Sequence, residues 1–182
     1  MARNTILRTL HDTGLAAWFG GTLANAVSLN RAAAEASDPS STGRVANAGW
    51  DRWTPVNAAA IGAHLVGSVG LLGANRDRLR SQQGVASMSV AKTALTAAAL
   101  GATAYSRVLG QKVSQYRDVP AASGTAPTAS TPSDVAKAQQ QLAVLQWVVP
   151  ALTGALVAIS SFAGEQQRPS EVHKGLASRL MA

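Results

Sequence analysis

The chain of 182 residues has no cysteine, few aromatic residues and few charges. Without cysteine it forms no disulfide, uses no thiol in catalysis and binds no metal through a cysteine thiolate. Charged residues make up 14% of the chain, about half the usual share. Most of the sequence is therefore neutral, and its apolar content is dominated by alanine and glycine rather than by large side chains.

The positive charge is carried by few residues. The net charge is +7, with 12 arginines and 4 lysines. The only cluster is Arg76, Arg78 and Arg80 in RDRLR, and no aromatic side chains are interleaved with it. Proteins that bind nucleic acids usually combine basic patches with aromatic or base-reading side chains, so we expect no nucleic-acid partner.

Four stretches approach the roughly 20 apolar residues that cross a bilayer. They lie at approximately 13–30, 56–74, 88–109 and 138–164, and the third contains Lys92 and Arg107 close enough to its ends for both charges to reach lipid headgroups. The sequence therefore predicts an all-α integral membrane protein, a single domain over 1–182 folded as an antiparallel four-helix bundle.

Two other interpretations of these stretches are open. A mean hydropathy of only +0.08 fits a soluble alanine-rich bundle, although soluble helices usually show a charged face every turn or two. The first stretch also resembles a signal peptide, with Ala34-Glu35-Ala36 as a cleavage-like site. The polar residues just before that site fit a signal peptide poorly, so we interpret the stretch as a retained span.

The arginine-rich loop predicts the orientation. Short loops rich in arginine stay in the cytoplasm, which places residues 75–87, the tail 165–182 and both termini inside a bacterial plasma membrane. Residues 31–55 and 110–137 then form extracytoplasmic loops. Within the second, VPAASGTAPTASTPS at 119–133 predicts a flexible linker, followed by a helix that starts near Thr131-Pro132.

Small residues recur at steps of three and four along each predicted span, which places them on one narrow helix face. In lipid, such faces let backbones approach closely and drive helix association. The predicted packing residues are Gly14, Ala17, Gly21, Ala24, Ala63, Gly67, Gly70, Gly101, Gly154 and Ala158.

Residues that could support chemistry are sparse, and we expect no catalytic, cofactor or metal site. His11-Asp12 is interpreted as a helix start, since only His173 offers a further imidazole for a metal there. His64 lies near the middle of the second span, where an ionisable residue indicates function by default. The candidate intramembrane polar cluster is His64, Thr22, Asn25, Thr96 and Thr153. Packing explains His64 more simply than proton transfer, because no acidic residue lies at the same depth.

The opening LHDTGLAAWFGG, the three further alanine-rich spans and the arginine-rich loop resemble the small four-helix integral membrane proteins of actinobacteria. The resemblance covers the layout of the chain and implies a role beside larger machinery. We expect a non-enzymatic accessory or scaffold subunit of a larger membrane complex, such as a lipid or nutrient transport system. The alternatives are a small oligomeric transporter or channel with a pathway at His64, and an accessory subunit of a respiratory complex. Membrane lipids are expected partners, and a homo-oligomer is compatible with the pattern.

Overall fold

A computed structural model describes residues 4–82, 84–116, 118–165 and 168. Over these residues the fold is all-α apart from one small hairpin. Helix α1 spans Thr5–Ala24, and a π-helical turn, Asn25–Leu29, joins it to the short α2, Asn30–Ala32. A 3-10 turn, Ala33–Glu35, follows, and the remaining helices are α3 Pro39–Ala74, α4 Arg76–Ser81, α5 Val85–Ser114 and α6 Ser133–Glu165.

Helix α3 begins much earlier than the second apolar stretch. Asp38 caps it by accepting hydrogen bonds from the Ser41 amide at 2.9 Å and the Ser41 hydroxyl at 2.7 Å, and Pro39 takes the first helical position. Most of the predicted loop 31–55 is therefore helical. The stretch DPSSTG at 38–43, which the sequence predicted to lie in that loop, is instead the start of α3.

The helices pack in a defined order. Helix α1 lies against α3 and α6, and α6 lies against α5, whereas α3 and α5 make few contacts with each other. The central core contains Leu15 and Trp18 of α1, Ala99 of α5, and Val149 and Leu156 of α6. The weak α3–α5 contact leaves two cavities between these helices.

Residues 119–133, predicted to be a flexible linker, are folded against the bundle. Strands β1, Ala121–Ser123, and β2, Ala126–Pro127, form an antiparallel hairpin, and Val119 and Ala121 are buried. The Thr131 hydroxyl donates to the Pro120 carbonyl, and the Thr128 amide donates to Thr131 at 2.8 Å. The composition predicted flexibility because the residues of this segment are mostly small and uncharged. The segment nevertheless packs on α3, where Gly43 touches Val119.

Three of the described helices, α3, α5 and α6, are long and apolar enough to cross a membrane. Helix α1 is shorter, carries Arg8 and Asp12, and is held between α3 and α6. The all-α prediction and the expectation of membrane-spanning helices therefore hold for these three helices.

Candidate functional site

The contact between α1 and α3 depends on two glycines that face each other's backbones. A Cβ on Gly14 would lie 2.5 Å from the Ala60 carbonyl oxygen and 2.5 Å from the His64 amide nitrogen. A Cβ on Gly67 would meet the His11 amide and lie 2.6 Å from the Leu7 carbonyl oxygen. These separations are too short for any side chain, so the two backbones touch directly, as small residues permit in membranes.

Three other predicted packing glycines contact side chains rather than the backbone of a neighbouring helix. Gly21 lies under the Trp53 indole, Gly70 under the Leu7 side chain, and Gly154 is 3.1 Å, measured from its ideal Cβ, from the Phe19 ring. Ala17 and Ala63 are half-buried. Four of the predicted packing residues on α1 and α3 thus lie along one interface: Gly14, Gly21, Gly67 and Gly70.

Three predicted packing residues lie elsewhere. Ala24, Gly101 and Ala158 are exposed, and a Cβ on Gly101 would meet open space. The prediction for Gly101 assumed that another helix packs closely on the face of α5 that carries its small residues. The structure instead separates α5 from α3, so none of the described helices packs on Gly101.

His64 and His11 form a buried pair at the α1–α3 interface. Their ring centroids are 4.6 Å apart, and both residues are at most 3% exposed. The His64 Nδ1 lies 3.2 Å from the His11 carbonyl oxygen, so the imidazole donates to a backbone acceptor on α1. The Ser68 hydroxyl is 3.5 Å from the other ring nitrogen of His64. The close approach made by Gly14 and Gly67 thus brings the two rings together.

His11 extends this pair towards charged residues. Its Nδ1 is 2.7 Å from Asp12 Oδ1, and its Nε2 is 3.2 Å from the Lys92 ammonium of α5. A neutral imidazole fits this arrangement, with Nδ1–H donating to the carboxylate and Nε2 accepting from the ammonium. The structure therefore contains a continuous run of polar contacts from Lys92 through His11 to His64 and Ser68.

The threonines predicted beside His64 face their own helices. The Thr22 hydroxyl donates to the Trp18 carbonyl at 2.7 Å, and the Thr153 hydroxyl donates to the Val149 carbonyl at 2.9 Å. Asn25 follows α1, and its buried Nδ2 has no hydrogen-bond partner among the described residues. Thr96 is half-buried beside Lys92. Of the predicted cluster, only Thr96 lies near the charged end of the histidine pair.

His11 was missed as a neighbour of His64 because sequence analysis interpreted it as part of a helix start. The sequence nevertheless contained a pattern that predicts this pairing. His11 lies three residues before Gly14, and His64 lies three residues before Gly67, so each histidine continues a glycine face by one step. Two helices that meet on those glycines must bring the histidines close. His173, the other imidazole considered, lies outside the described residues.

Lys92 opens into a cavity of about 400 Å³ between α3 and α5, which we call the Lys92 cleft. One part of it is polar, with His11, Asn75, Arg78 and Lys92, and the rest is mostly apolar, including Leu65, Leu72, Met88 and Leu100. In the part of the chain that the structure describes, no group of three His, Cys, Asp or Glu side chains is arranged to bind a metal.

A second cavity of about 320 Å³ lies further along the α3–α5 gap and is lined by Trp50, Trp53 and Asn57. Two of its lining residues bond to Asn30, which accepts from the Trp50 indole at 2.9 Å and donates to Gln146 at 2.7 Å. The Asn30 carbonyl also accepts from the Gly124 amide at 3.2 Å. Asn30 therefore links α3, α6 and the hairpin, a role that sequence analysis did not predict.

No protein-family profile, curated protein or solved structure matches the chain. The function is therefore argued from the geometry of this molecule.

Proposed function

We propose that the protein is a non-enzymatic accessory or scaffold subunit that binds a larger membrane protein complex, with a lipid or nutrient transport system as the favoured class. It crosses a bacterial plasma membrane four times, with both termini in the cytoplasm. The observation that carries the proposal is the contrast between the two faces of α3: one is packed backbone to backbone on α1, and the other presents small residues to the outside.

The exposed face of α3 has the spacing of a helix-packing surface. Ala59, Gly62, Val66 and Gly73 follow each other at steps of three, four and seven, and all four are exposed. A Cβ on Gly62 or Gly73 would meet open space, in contrast to Gly67 on the packed face of the same helix. Exposed glycines in a span cost helix stability, and close approach of a partner helix supplies a reason for them.

The packing and the charges of α1 support the proposal that it is a fourth span. Helix α1 packs along both α3 and α6, so it shares the depth of two helices that are long enough to cross. Its two charged residues lie in its first half, where Arg8 and Asp12 are within reach of a headgroup region. The arginines of α4 support a cytoplasmic location for that end of the bundle, because short arginine-rich connections stay inside.

The proposal is tested by affinity purification in mild detergent followed by mass spectrometry. The wild-type chain is expected to recover a stoichiometric membrane partner, and Gly62→Leu or Gly73→Leu to lower that recovery severalfold. Gly20→Leu is the matched control, because a Cβ on Gly20 also meets open space but lies on α1. Recovery of the wild-type chain as a lone monomer would refute the proposal.

A small oligomeric transporter or channel is the second candidate, and the run from Lys92 through His11 to His64 favours it. Titratable side chains in succession are the usual elements of a proton path. Reconstituted liposomes with an internal pH dye would report such a path. His64→Gln and His11→Gln are expected to abolish the flux, with Thr153→Val as the control because Thr153 hydrogen-bonds within its own helix. Absence of flux in the wild type removes this candidate.

A further inference from the structure

We infer that the second cavity, which we call the Trp53 cavity, binds the hydroxyl end of one uncharged lipid, such as a diacylglycerol or a long-chain alcohol. The hydroxyl oxygen accepts a hydrogen bond from the Trp53 indole, and the hydroxyl proton is donated to the side-chain oxygen of Asn57. The apolar chain then lies between α3 and α5. Such a site rests on the membrane placement within the proposed function, but not on a partner complex.

The lining of the Trp53 cavity suits an uncharged, mostly apolar ligand. Among the described lining residues Arg107 carries the charge, and its ion pair of 3.1 Å with Asp51 compensates it. The volume of about 320 Å³ is within the usual range for ligand sites, which are mainly apolar with a few polar groups. The large apolar members of the lining are Trp50, Ile61, Leu100, Leu142, Leu145 and Val149.

Two of the hydroxyl groups in the lining are already engaged by their own helices. The Thr54 hydroxyl donates to the Trp50 carbonyl at 2.9 Å, and the Ser106 hydroxyl donates to the Ala102 carbonyl at 2.8 Å. Neither proton is therefore available to a ligand, and neither group needs one as a partner.

Two other polar atoms of the lining residues differ from these hydroxyls. The indole Nε1 of Trp53 and the Oδ1 of Asn57 are buried and have no hydrogen-bond partner among the described residues. A buried donor or acceptor without a partner is destabilising, so such groups usually have one. A hydroxyl serves both atoms at once, because its oxygen accepts and its proton is donated.

The positions of Trp53 and Asn57 suit a single bridging oxygen. The two residues lie one turn apart on α3, where Cβ atoms are about 5–6 Å apart, and one oxygen can lie about 2.9 Å from a group on each. The Trp53 indole is fixed by packing over Gly21 of α1. Since no described residue bonds to the Asn57 oxygen, the amide can turn about its last side-chain bond to meet an incoming hydroxyl.

The cavity is accessible from the side of the bundle. Ala58 of α3 and Ala104 of α5 both line it and are exposed, and both helices are long and apolar enough to cross a membrane. Leu100 lines this cavity and also the Lys92 cleft, so an apolar chain can continue along the gap between the two helices. A lipid can thus enter sideways, with its hydroxyl at Asn57.

The site is tested by NMR on the full chain in mild detergent with nitrogen-15-labelled indoles, since an indole N–H resonance reports its own hydrogen bond. The probes are 1-dodecanol and dodecyl methyl ether, which has the same chain but cannot donate. 1-Dodecanol is expected to shift the Trp53 resonance saturably and to leave that of the exposed Trp147, outside the lining, unchanged. The ether is expected to bind about three- to tenfold more weakly, because the Asn57 oxygen then receives no proton.

The variant Asn57→Leu removes the acceptor at nearly constant volume and is expected to abolish the preference for the alcohol over the ether. Thr54→Val is the matched control on the same helix and in the same lining, because the Thr54 hydroxyl is bonded to the Trp50 carbonyl. It is expected to keep the wild-type preference, and an equal loss in both variants overturns the assigned role of Asn57.

A variant that fills the cavity keeps the inference testable if Asn57→Leu fails to fold. Ala104→Trp retains both polar atoms and is expected to prevent the shift of the Trp53 resonance by either probe. The Trp18 indole, which donates to Thr103 at 3.2 Å, reports in each variant whether the helices remain packed. A wild-type shift in a folded Ala104→Trp variant places the probe elsewhere and overturns the site.

Two further probes identify the occupant. 1,2-Dioctanoylglycerol is expected to compete with 1-dodecanol, whereas excess glycerol, which has hydroxyls but no apolar chain, is not. Full displacement by glycerol, equal affinity for the alcohol and the ether, or an unmoved Trp53 resonance each overturns the lipid site. The last result with a chain that requires detergent for extraction leaves the membrane placement intact, whereas release of the chain without detergent overturns that placement as well.

Discussion

At the scale of single residues, the α1–α3 contact depends on the absence of two side chains. Gly14 and Gly67 allow each helix to touch the other's backbone, and this approach places His11 and His64 with ring centroids 4.6 Å apart. Alanine would be the better helix former at both positions. The glycines are therefore explained by packing, and the histidine pair is a consequence of it.

Gly14→Ala and Gly67→Ala are each expected to destabilise the fold by about 1–3 kcal/mol, because the new methyl group would overlap backbone atoms that cannot move independently. The measurement is reversible SDS unfolding in mixed micelles, followed by tryptophan fluorescence. Gly62→Ala, on the open face of α3, is the control and is expected to be neutral or stabilising. Equal effects at Gly62 and Gly67 would contradict the described interface.

Asn30 is a second position where one residue joins several elements of the fold. It is 3% exposed and joins Trp50, Gln146 and the hairpin. Asn30→Ala is expected to cost about 1–3 kcal/mol in the same unfolding assay, because it removes the partner of the half-buried Trp50 indole and of the half-buried Gln146 amide oxygen. Ser28→Ala, two residues earlier and exposed, serves as the control. Unchanged stability of the Asn30 variant would remove the assigned linking role.

At the scale of elements, the start of α3 and the hairpin show how short segments decide where a span begins and what covers it. Asp38 ends an irregular segment and starts a 36-residue helix. The hairpin then uses Val119 to pack on Gly43 near that start, and an ion pair of 3.0 Å between Arg44 and Asp118 joins the same two segments. These contacts make the connection between α5 and α6 part of the fold.

The cap predicts a pH dependence. The hydrogen bonds from the Ser41 hydroxyl and amide lower the pKa of Asp38 from 3.8 to about 2. A carboxylate with a depressed pKa stabilises the folded form above pH 3.8 and loses that contribution as the pH falls towards 2. Protection of the Ser41 and Thr42 amides from hydrogen exchange is expected to decrease across this interval.

Asp38→Ala is expected to lower this protection at neutral pH and to remove its dependence on pH between 3.8 and 2. Glu35→Ala removes a nearby carboxylate that is not the cap and is expected to leave the profile unchanged. A variant at Asp38 with the wild-type profile would show that another group causes the transition.

At the scale of the whole molecule, the bundle is closed on one side and open on the other. Contacts run from α3 to α1, from α1 to α6 and from α6 to α5, but the ring is not completed between α5 and α3. The gap contains both cavities, and its cationic end adjoins α4. The described part of the chain thus leaves the facing surfaces of α3 and α5 uncovered, and this gap is distinct from the exposed face of α3 that carries Gly62 and Gly73.

The absence of native cysteine provides a direct test of the orientation. Ser81→Cys lies at the end of α4, Ser130→Cys lies beyond the hairpin, and both positions are exposed. A membrane-impermeant maleimide is expected to label position 130 in intact spheroplasts and position 81 only after lysis. Labelling of both positions in intact cells, or release of the chain into a detergent-free supernatant, would contradict the four-span arrangement.

The sequence by itself determined the class of this protein. Uncharged stretches of span length and the charges between them require helices whose backbone bonds are internal, and steps of three and four place small residues on one face whatever the fold. Which faces meet was decided only by the tertiary structure. Gly67 and Gly101 were both predicted to pack against a neighbouring helix, yet Gly67 touches α1 and a Cβ on Gly101 would meet open space. Three features depend on which helices are neighbours. They are the pairing of His11 with His64, the hydrogen bonds that join Asn30 to Gln146 and the hairpin, and the gap between α3 and α5 at Lys92. That choice is made by long-range packing, which local periodicity does not encode.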